Sequence, residues 1–127
     1  MKKFGLFIGL LLGALLMAGQ ALAATAPVGN FYLPPSPDAD GYYQIKWRPS
    51  PTAGVTYILE EATNAGFTTG LRTAYTGTAT YTYIGTPVKN VAGSYYYRIK
   101  ATKGGVDSTS LNAATPIVVT GAGMTVG

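Results

Sequence analysis

The chain has no cysteine and no histidine in 127 residues, and only 11% of it is charged. The missing cysteines exclude thiol nucleophiles, disulfides and haem attachment. With histidine also absent, the usual zinc sites and every Ser-His or Cys-His catalytic pairing go as well. Most enzyme classes are removed by these two zeros. Charge of either sign is scarce, with nine Lys and Arg against five Asp and Glu. What the chain does have is apolar and turn-forming: 47% hydrophobic residues, 17 Gly, 8 Pro and 10 Tyr. So apolar and weakly charged a composition is not that of a disordered protein, and the length suits one domain.

Lys2 and Lys3 precede an apolar run over residues 4–17, which is followed by the small-residue sequence Ala21-Leu22-Ala23. A basic start, an apolar stretch and an Ala-x-Ala site make up the layout of a secretory signal peptide, predicted over residues 1–23. The run is shorter than the roughly 20 residues a spanning helix needs, so cleavage and no stable membrane span are expected. A secreted, periplasmic or cell-surface location follows. Without Lys2 and Lys3, seven basic side chains remain against five acidic, and the cations are scattered along the chain. That argues against nucleic acid as a partner. Export without cysteine also means that the core alone must hold the fold.

Beyond residue 23 the chain alternates short apolar-patterned segments with Gly, Pro, Asn and Asp, and helical spacing is nowhere sustained, so the reading is all-β. Residues 26–37 carry four prolines and suit a lead-in or edge strand, with Phe31 and Leu33 placed to pack inward. Asp38-Ala39-Asp40-Gly41 is a turn. Over residues 42–48, Tyr43, Ile45 and Trp47 face inward and Tyr42, Gln44, Lys46 and Arg48 outward. Over residues 55–61, Val55, Tyr57 and Leu59 share one side, with Thr56, Ile58 and Glu60 on the other. After a turn at Asn64-Ala65-Gly66, residues 67–75 read as a weak strand or loop anchored by Leu71 and Tyr75. Residues 79–85 read as a strand of ambiguous inward face. The strongest strand covers residues 94–102, where Tyr95, Tyr97, Ile99 and Ala101 alternate with Tyr96, Arg98, Lys100 and Thr102. Residues 103–107 turn the chain, and 108–119 return it with Ile117 and Val119 inward. Residues 121–127 form a small-residue tail expected to be flexible.

About seven strands in about 100 residues is the expectation for an immunoglobulin-like β-sandwich. Three motifs in order resemble a fibronectin type III domain of the kind found in exported bacterial proteins: Ile45-Lys46-Trp47 followed by Pro49, Gly54-Val55-Thr56-Tyr57-Ile58-Leu59-Glu60, and Gly93-Ser94-Tyr95-Tyr96-Tyr97-Arg98-Ile99-Lys100-Ala101. The resemblance covers residues 27–119 and implies one such domain over 24–120. It also implies that Tyr95 is a corner tyrosine, bonding backbone a few residues upstream. The segment before Tyr95 departs from the family, having Val88 to Ala92 in place of Leu-x-Pro. No Arg-Gly-Asp tripeptide is present.

The core expected from these patterns contains Trp47, Ile45, Tyr57, Leu59, Tyr95, Tyr97 and Ile99. The six outward residues Tyr96, Arg98, Lys100, Ile58, Glu60 and Thr56 would share one exposed surface, with Glu60 placed to pair with Arg98 or Lys100. They form the candidate binding face, Tyr96 first; the competing reading is a solvated sheet face. No catalytic pair is expected. Adjacent Glu60 and Glu61 point to opposite sheet faces, and Asp38 and Asp40 sit in a turn without the ligand spacing of an EF-hand. No metal or cofactor is implied. The expected function is an exported, non-enzymatic module recognising a protein or glycan, and the alternative is a self-assembling subunit of an extracellular fibre or surface layer.

Overall fold

The computed structural model describes residues 23–27, 31–86 and 89–121. The expected signal peptide, apart from Ala23, and the expected tail beyond Gly121 lie outside them. Among the described residues there are eight strands and no helix: β1 (Tyr43–Lys46), β2 (Thr56–Ala62), β3 (Arg72–Gly77), β4 (Tyr81–Ile84), β5 (Gly93–Lys103), β6 (Val106–Asp107), β7 (Leu111–Asn112) and β8 (Ile117–Val119). They form two antiparallel sheets. The smaller pairs β1 with β4, and the larger runs β3-β2-β5 and continues with β6, β7 and β8, each paired to a different stretch of β5.

About seven strands become eight because the lead-in forms only isolated bridges while the last strand is divided in three, its first piece, β6, lying in the stretch expected as a turn. Ser108 Oγ takes the hydrogen bond of the Ala101 amide in place of a backbone carbonyl, and Pro116 has no amide to give. Residues 106–119 are therefore one edge in three pieces. The proline-rich lead-in serves both sheets. Tyr32 pairs antiparallel with Lys46 beside β1, and Asp38 pairs parallel with Val119 of β8. The Asp38-Gly41 turn closes through Asp38 Oδ2 accepting from the Gly41 amide at 2.7 Å and Asp40 Oδ1 accepting from the Tyr42 amide at 3.0 Å. Gly41 sits at φ +74°, and a Cβ there would meet the Asn90 carbonyl oxygen at 2.1 Å, so only glycine fits.

Between the sheets lies a single core. Ile45, Trp47, Tyr57, Leu59, Ile84, Tyr95, Tyr97, Ile99, Ala101, Ile117 and Val119 are all buried in it, with Phe31 from the lead-in. Trp47 packs against Tyr57 and Tyr75, with ring centroids 5.9 and 5.7 Å apart. Tyr95 donates its hydroxyl to the Val91 carbonyl at 2.8 Å, four residues upstream, which is the corner geometry. In β4 the inward positions are Thr82 and Ile84, leaving Tyr81 and Tyr83 outside. Leu71, expected as an anchor, is 46% exposed. Tyr75, the other expected anchor, packs against the core, whereas Phe67 of the same segment, at φ +55°, is buried outside it against Arg98.

A one-residue bulge shapes the far end of the larger sheet. The β2–β3 register runs Leu59↔Tyr75 and then Glu60↔Thr73, leaving Ala74 extra. This sets Arg72, and not Thr73, directly opposite Glu61.

Candidate binding surface

The register of β2 and β5 brings the six residues of the expected face together. Ile58 lies opposite Lys100, Glu60 opposite Arg98, Thr56 opposite Thr102 and Ala62 opposite Tyr96. All six are half-buried. Glu60 Oε1 accepts from Arg98 Nε at 2.7 Å, and Lys100 pairs with Asp107 at 3.1 Å. Asp107 is held below the usual carboxylate range by Thr102 and by Lys100. The Arg98 guanidinium is covered from outside by the Phe67 ring, 4.4 Å from its centroid. The charges of this face are thus already satisfied by one another.

The other glutamate faces inward. Glu61 is 3% exposed. Arg72 donates to it through Nε at 2.7 Å and Nη2 at 3.2 Å, Asn90 Nδ2 at 3.0 Å and the Tyr97 hydroxyl at 2.6 Å. Tyr97 in turn bonds the hydroxyl of Tyr43, so the chain of bonds runs from β3 through β2 and β5 to β1 and ties the two sheets together. Burial pushes the Tyr43 hydroxyl up to about 12 and that of Tyr97 well above its ordinary value. The bond to Glu61 raises Arg72 further. Beside this cluster lies a cleft of about 400 Å³, lined by Arg72, Tyr83, Thr86, Lys89, Asn90 and Val91. Its two cations are engaged, Arg72 by Glu61 and Lys89 by Asp40 at 3.7 Å.

Exposed aromatic surface concentrates on the outer face of the smaller sheet. Tyr32, Tyr42, Tyr81 and Tyr83 are between 43% and 52% exposed. Residues directly opposite each other across antiparallel strands share a face, which sets Tyr32, Lys46 and Tyr81 in one row and Gln44 with Tyr83 in the next. Tyr42 stacks on Tyr83, with centroids 6.0 Å apart and planes 10° apart, and Tyr81 meets Tyr83 edge-on at 6.4 Å. Such a surface offers ring faces, phenol hydroxyls, an amide and an ammonium group together. The ten tyrosines thus divide into four buried (Tyr43, Tyr57, Tyr95, Tyr97), two half-buried (Tyr75, Tyr96) and these four.

Sequence reasoning placed Tyr42 and Lys46 outward but left the face of residues 79–85 open, so this cluster was missed. The aliphatic Ile84 was the available signal, since it must point inward and carries Tyr81 and Tyr83 outward with it. Nothing in the sequence pointed to Asn90 or Arg72 as partners of Glu61.

No known family's sequence profile matches the chain, and no curated protein matches it. Among solved structures it is similar to the Twitchin kinase region from C. elegans (Fn31-NL-kin-CRD-Ig26), at 19% identity and a TM-score of 0.50, over 68% of this chain and 17% of that one. With the two antiparallel sheets described above, this likeness establishes the architecture: an immunoglobulin/fibronectin type III-like β-sandwich.

Proposed function

We propose that the chain is an exported, non-enzymatic binding module of the fibronectin type III kind, recognising a protein or glycan at the cell surface or in the periplasm. The family reading is supported by the order of its three strand motifs and by the Tyr95 corner bond. The non-enzymatic reading is supported by the carboxylates, each of which has a structural partner: Asp38 in its turn, and Asp40, Glu60, Glu61 and Asp107 in ion pairs. The observation that carries the binding reading is the tyrosine cluster on the smaller sheet, because tyrosines at this exposure are solvated at a cost that a partner's contact would relieve.

Two double variants test the location, Tyr81→Ser/Tyr83→Ser on the smaller sheet and Tyr96→Ser/Arg98→Ser on the larger. Each is compared with the unaltered chain for retention on envelope fragments of the source cell. Loss in the first variant only is the expected result. Loss in the second only moves the site to the face expected from the sequence. Light scattering decides the alternative of a self-assembling subunit, since large concentration-dependent species that vanish in either variant mean that the partner is another copy.

A further inference from the structure

Building on that binding reading, we infer that the tyrosine face takes an anionic polysaccharide, a glycan carrying carboxylate groups along its length. Charge selects the ligand's sign. Of the cations beyond residue 23, Arg72, Lys89, Arg98 and Lys100 are held by carboxylates, and Lys103 donates to the Ala53 carbonyl. Lys46 and Arg48 are the ones whose side chains have no partner among the described residues. Lys46 stands between Tyr32 and Tyr81, and Arg48 is exposed two residues further on. Asp40, the carboxylate nearest these residues in sequence, is already engaged by Lys89 and by the Tyr42 amide. A second copy of the chain applied face to face would bring two surfaces of the same positive sign together, which disfavours symmetric pairing.

Size and texture then select a glycan over an acidic protein. Strands of four residues at about 3.3 Å per residue, three abreast with the lead-in at about 4.8 Å, give a sheet footprint in projection on the order of 200 Å². A stable protein complex needs roughly 800 Å² from each partner, built around a desolvated apolar centre. This face is narrow, and Gln44, Lys46 and four phenols supply no aliphatic centre. One polysaccharide strand crossing it needs much less. Tyr42, Tyr83 and Tyr81 adjoin one another at 6.0 and 6.4 Å, Tyr81 edge-on to Tyr83, and make a broken line of ring edges and phenol hydroxyls, with Gln44 opposite Tyr83, to which a crossing sugar strand can hydrogen-bond. Carboxylates projecting from the sugars meet Lys46 and Arg48 at the edge of that line.

Affinity gel electrophoresis of the exported chain in polygalacturonate or alginate, with dextran as the neutral polymer, tests this. The unaltered protein should be retarded by both acidic polymers and not by dextran, and added salt should remove the retardation. Lys46→Gln/Arg48→Gln should weaken binding about five- to tenfold, and Tyr81→Ser/Tyr83→Ser by about tenfold. Arg98→Gln/Lys100→Gln, which removes the same charge from the other sheet, should bind as the unaltered chain does. Native Trp47 fluorescence checks that each variant is folded. Equal retardation in dextran overturns the inference, as does binding that survives Lys46→Gln/Arg48→Gln or is lost equally with Arg98→Gln/Lys100→Gln. If the acidic polymers do not bind while envelope fragments are still retained through Tyr81 and Tyr83, the ligand class is wrong and the binding reading stands. If the tyrosine variants change nothing in either assay, both fail.

Discussion

Glu60 and Glu61 are neighbours in sequence, and replacing each by Ala should give very different losses. Glu60 lies on the outer face, where its pair with Arg98 is partly solvated; side-chain exposures are 17% and 29%. Such pairs contribute about 0.2–1 kcal/mol. Glu61 is 3% exposed and accepts four hydrogen bonds. Arg72, 49% exposed, turns to water when its partner is removed, so little of the cost comes from it. Tyr97 is different, since its hydroxyl is deep in the core and keeps only Tyr43. Losing the acceptor of a buried donor costs about 1–3 kcal/mol, and the void left by the side chain adds about 1 more. Glu61→Ala is therefore expected to lose about 2–4 kcal/mol, a fall in Tm of roughly 10–20 °C for a domain of this size. Glu60→Ala should stay within about 1 kcal/mol of the unaltered protein. Urea titration followed by the fluorescence of Trp47, the single tryptophan and a buried one, measures both. Equal losses at the two positions, or a loss under about 1 kcal/mol at Glu61, would refute the reasoning that this cluster joins the sheets.

Alkali should unfold the domain through Tyr43 and Tyr97. Their hydroxyls ionise near 10 in the unfolded chain, whereas burial raises both in the folded one, that of Tyr43 to about 12, so stability is full below pH 10 and declines above it, by up to about 1.4 kcal/mol per pH unit for each group. Phenolate absorbance from the buried pair should rise only with loss of the sheet circular dichroism, so that Tyr43→Phe and Tyr97→Phe each remove part of that late rise; ionisation of the pair with the fold intact contradicts this. Tyr95→Phe removes the 2.8 Å bond to Val91 and nothing else, and should cost about 1 kcal/mol in urea titration with no change in the spectrum of the native state. Gly41→Ala should fail to fold, or lose more than about 3 kcal/mol, because the new Cβ strikes backbone. Gly105→Ala, at φ +81° with open space around it, should lose only the roughly 1–2 kcal/mol of left-handed strain. Similar losses at both glycines would show that the contact with Asn90 is not the constraint.

Much of this architecture could be read from alternation alone. The 11 residues of β5 and the seven of β2 alternate so regularly that burial of Tyr95, Tyr97, Ile99, Tyr57 and Leu59 follows from strand geometry. The Ile45 and Trp47 positions follow in the same way. Where local pattern is weak, the reading was weak too. In residues 67–75 there is little period-2 alternation, and of the expected anchors Tyr75 packs on the core while Leu71 is exposed; Phe67 is buried instead, through a left-handed backbone angle and a turn closed by Asn64.

The sequence by itself determined the class of fold, the identity of most core residues and the chemistries that are closed to a chain without cysteine and histidine. These are local or compositional matters, decided by which atoms exist and by which side of a strand they leave. Tertiary structure decided which polar groups meet. Whether Glu61 faces Arg72 or Thr73 depends on a single bulged residue, and whether it meets Asn90 and Tyr97 depends on a loop and a strand some 30 residues away. The candidate surface is likewise a tertiary product. Tyr32, Tyr42, Tyr81 and Tyr83 come from three separate segments, and only the register of the smaller sheet makes them one face beside Lys46. Alternation fixes the side of a strand that a residue occupies, whereas strand pairing fixes its neighbours, and binding depends on neighbours.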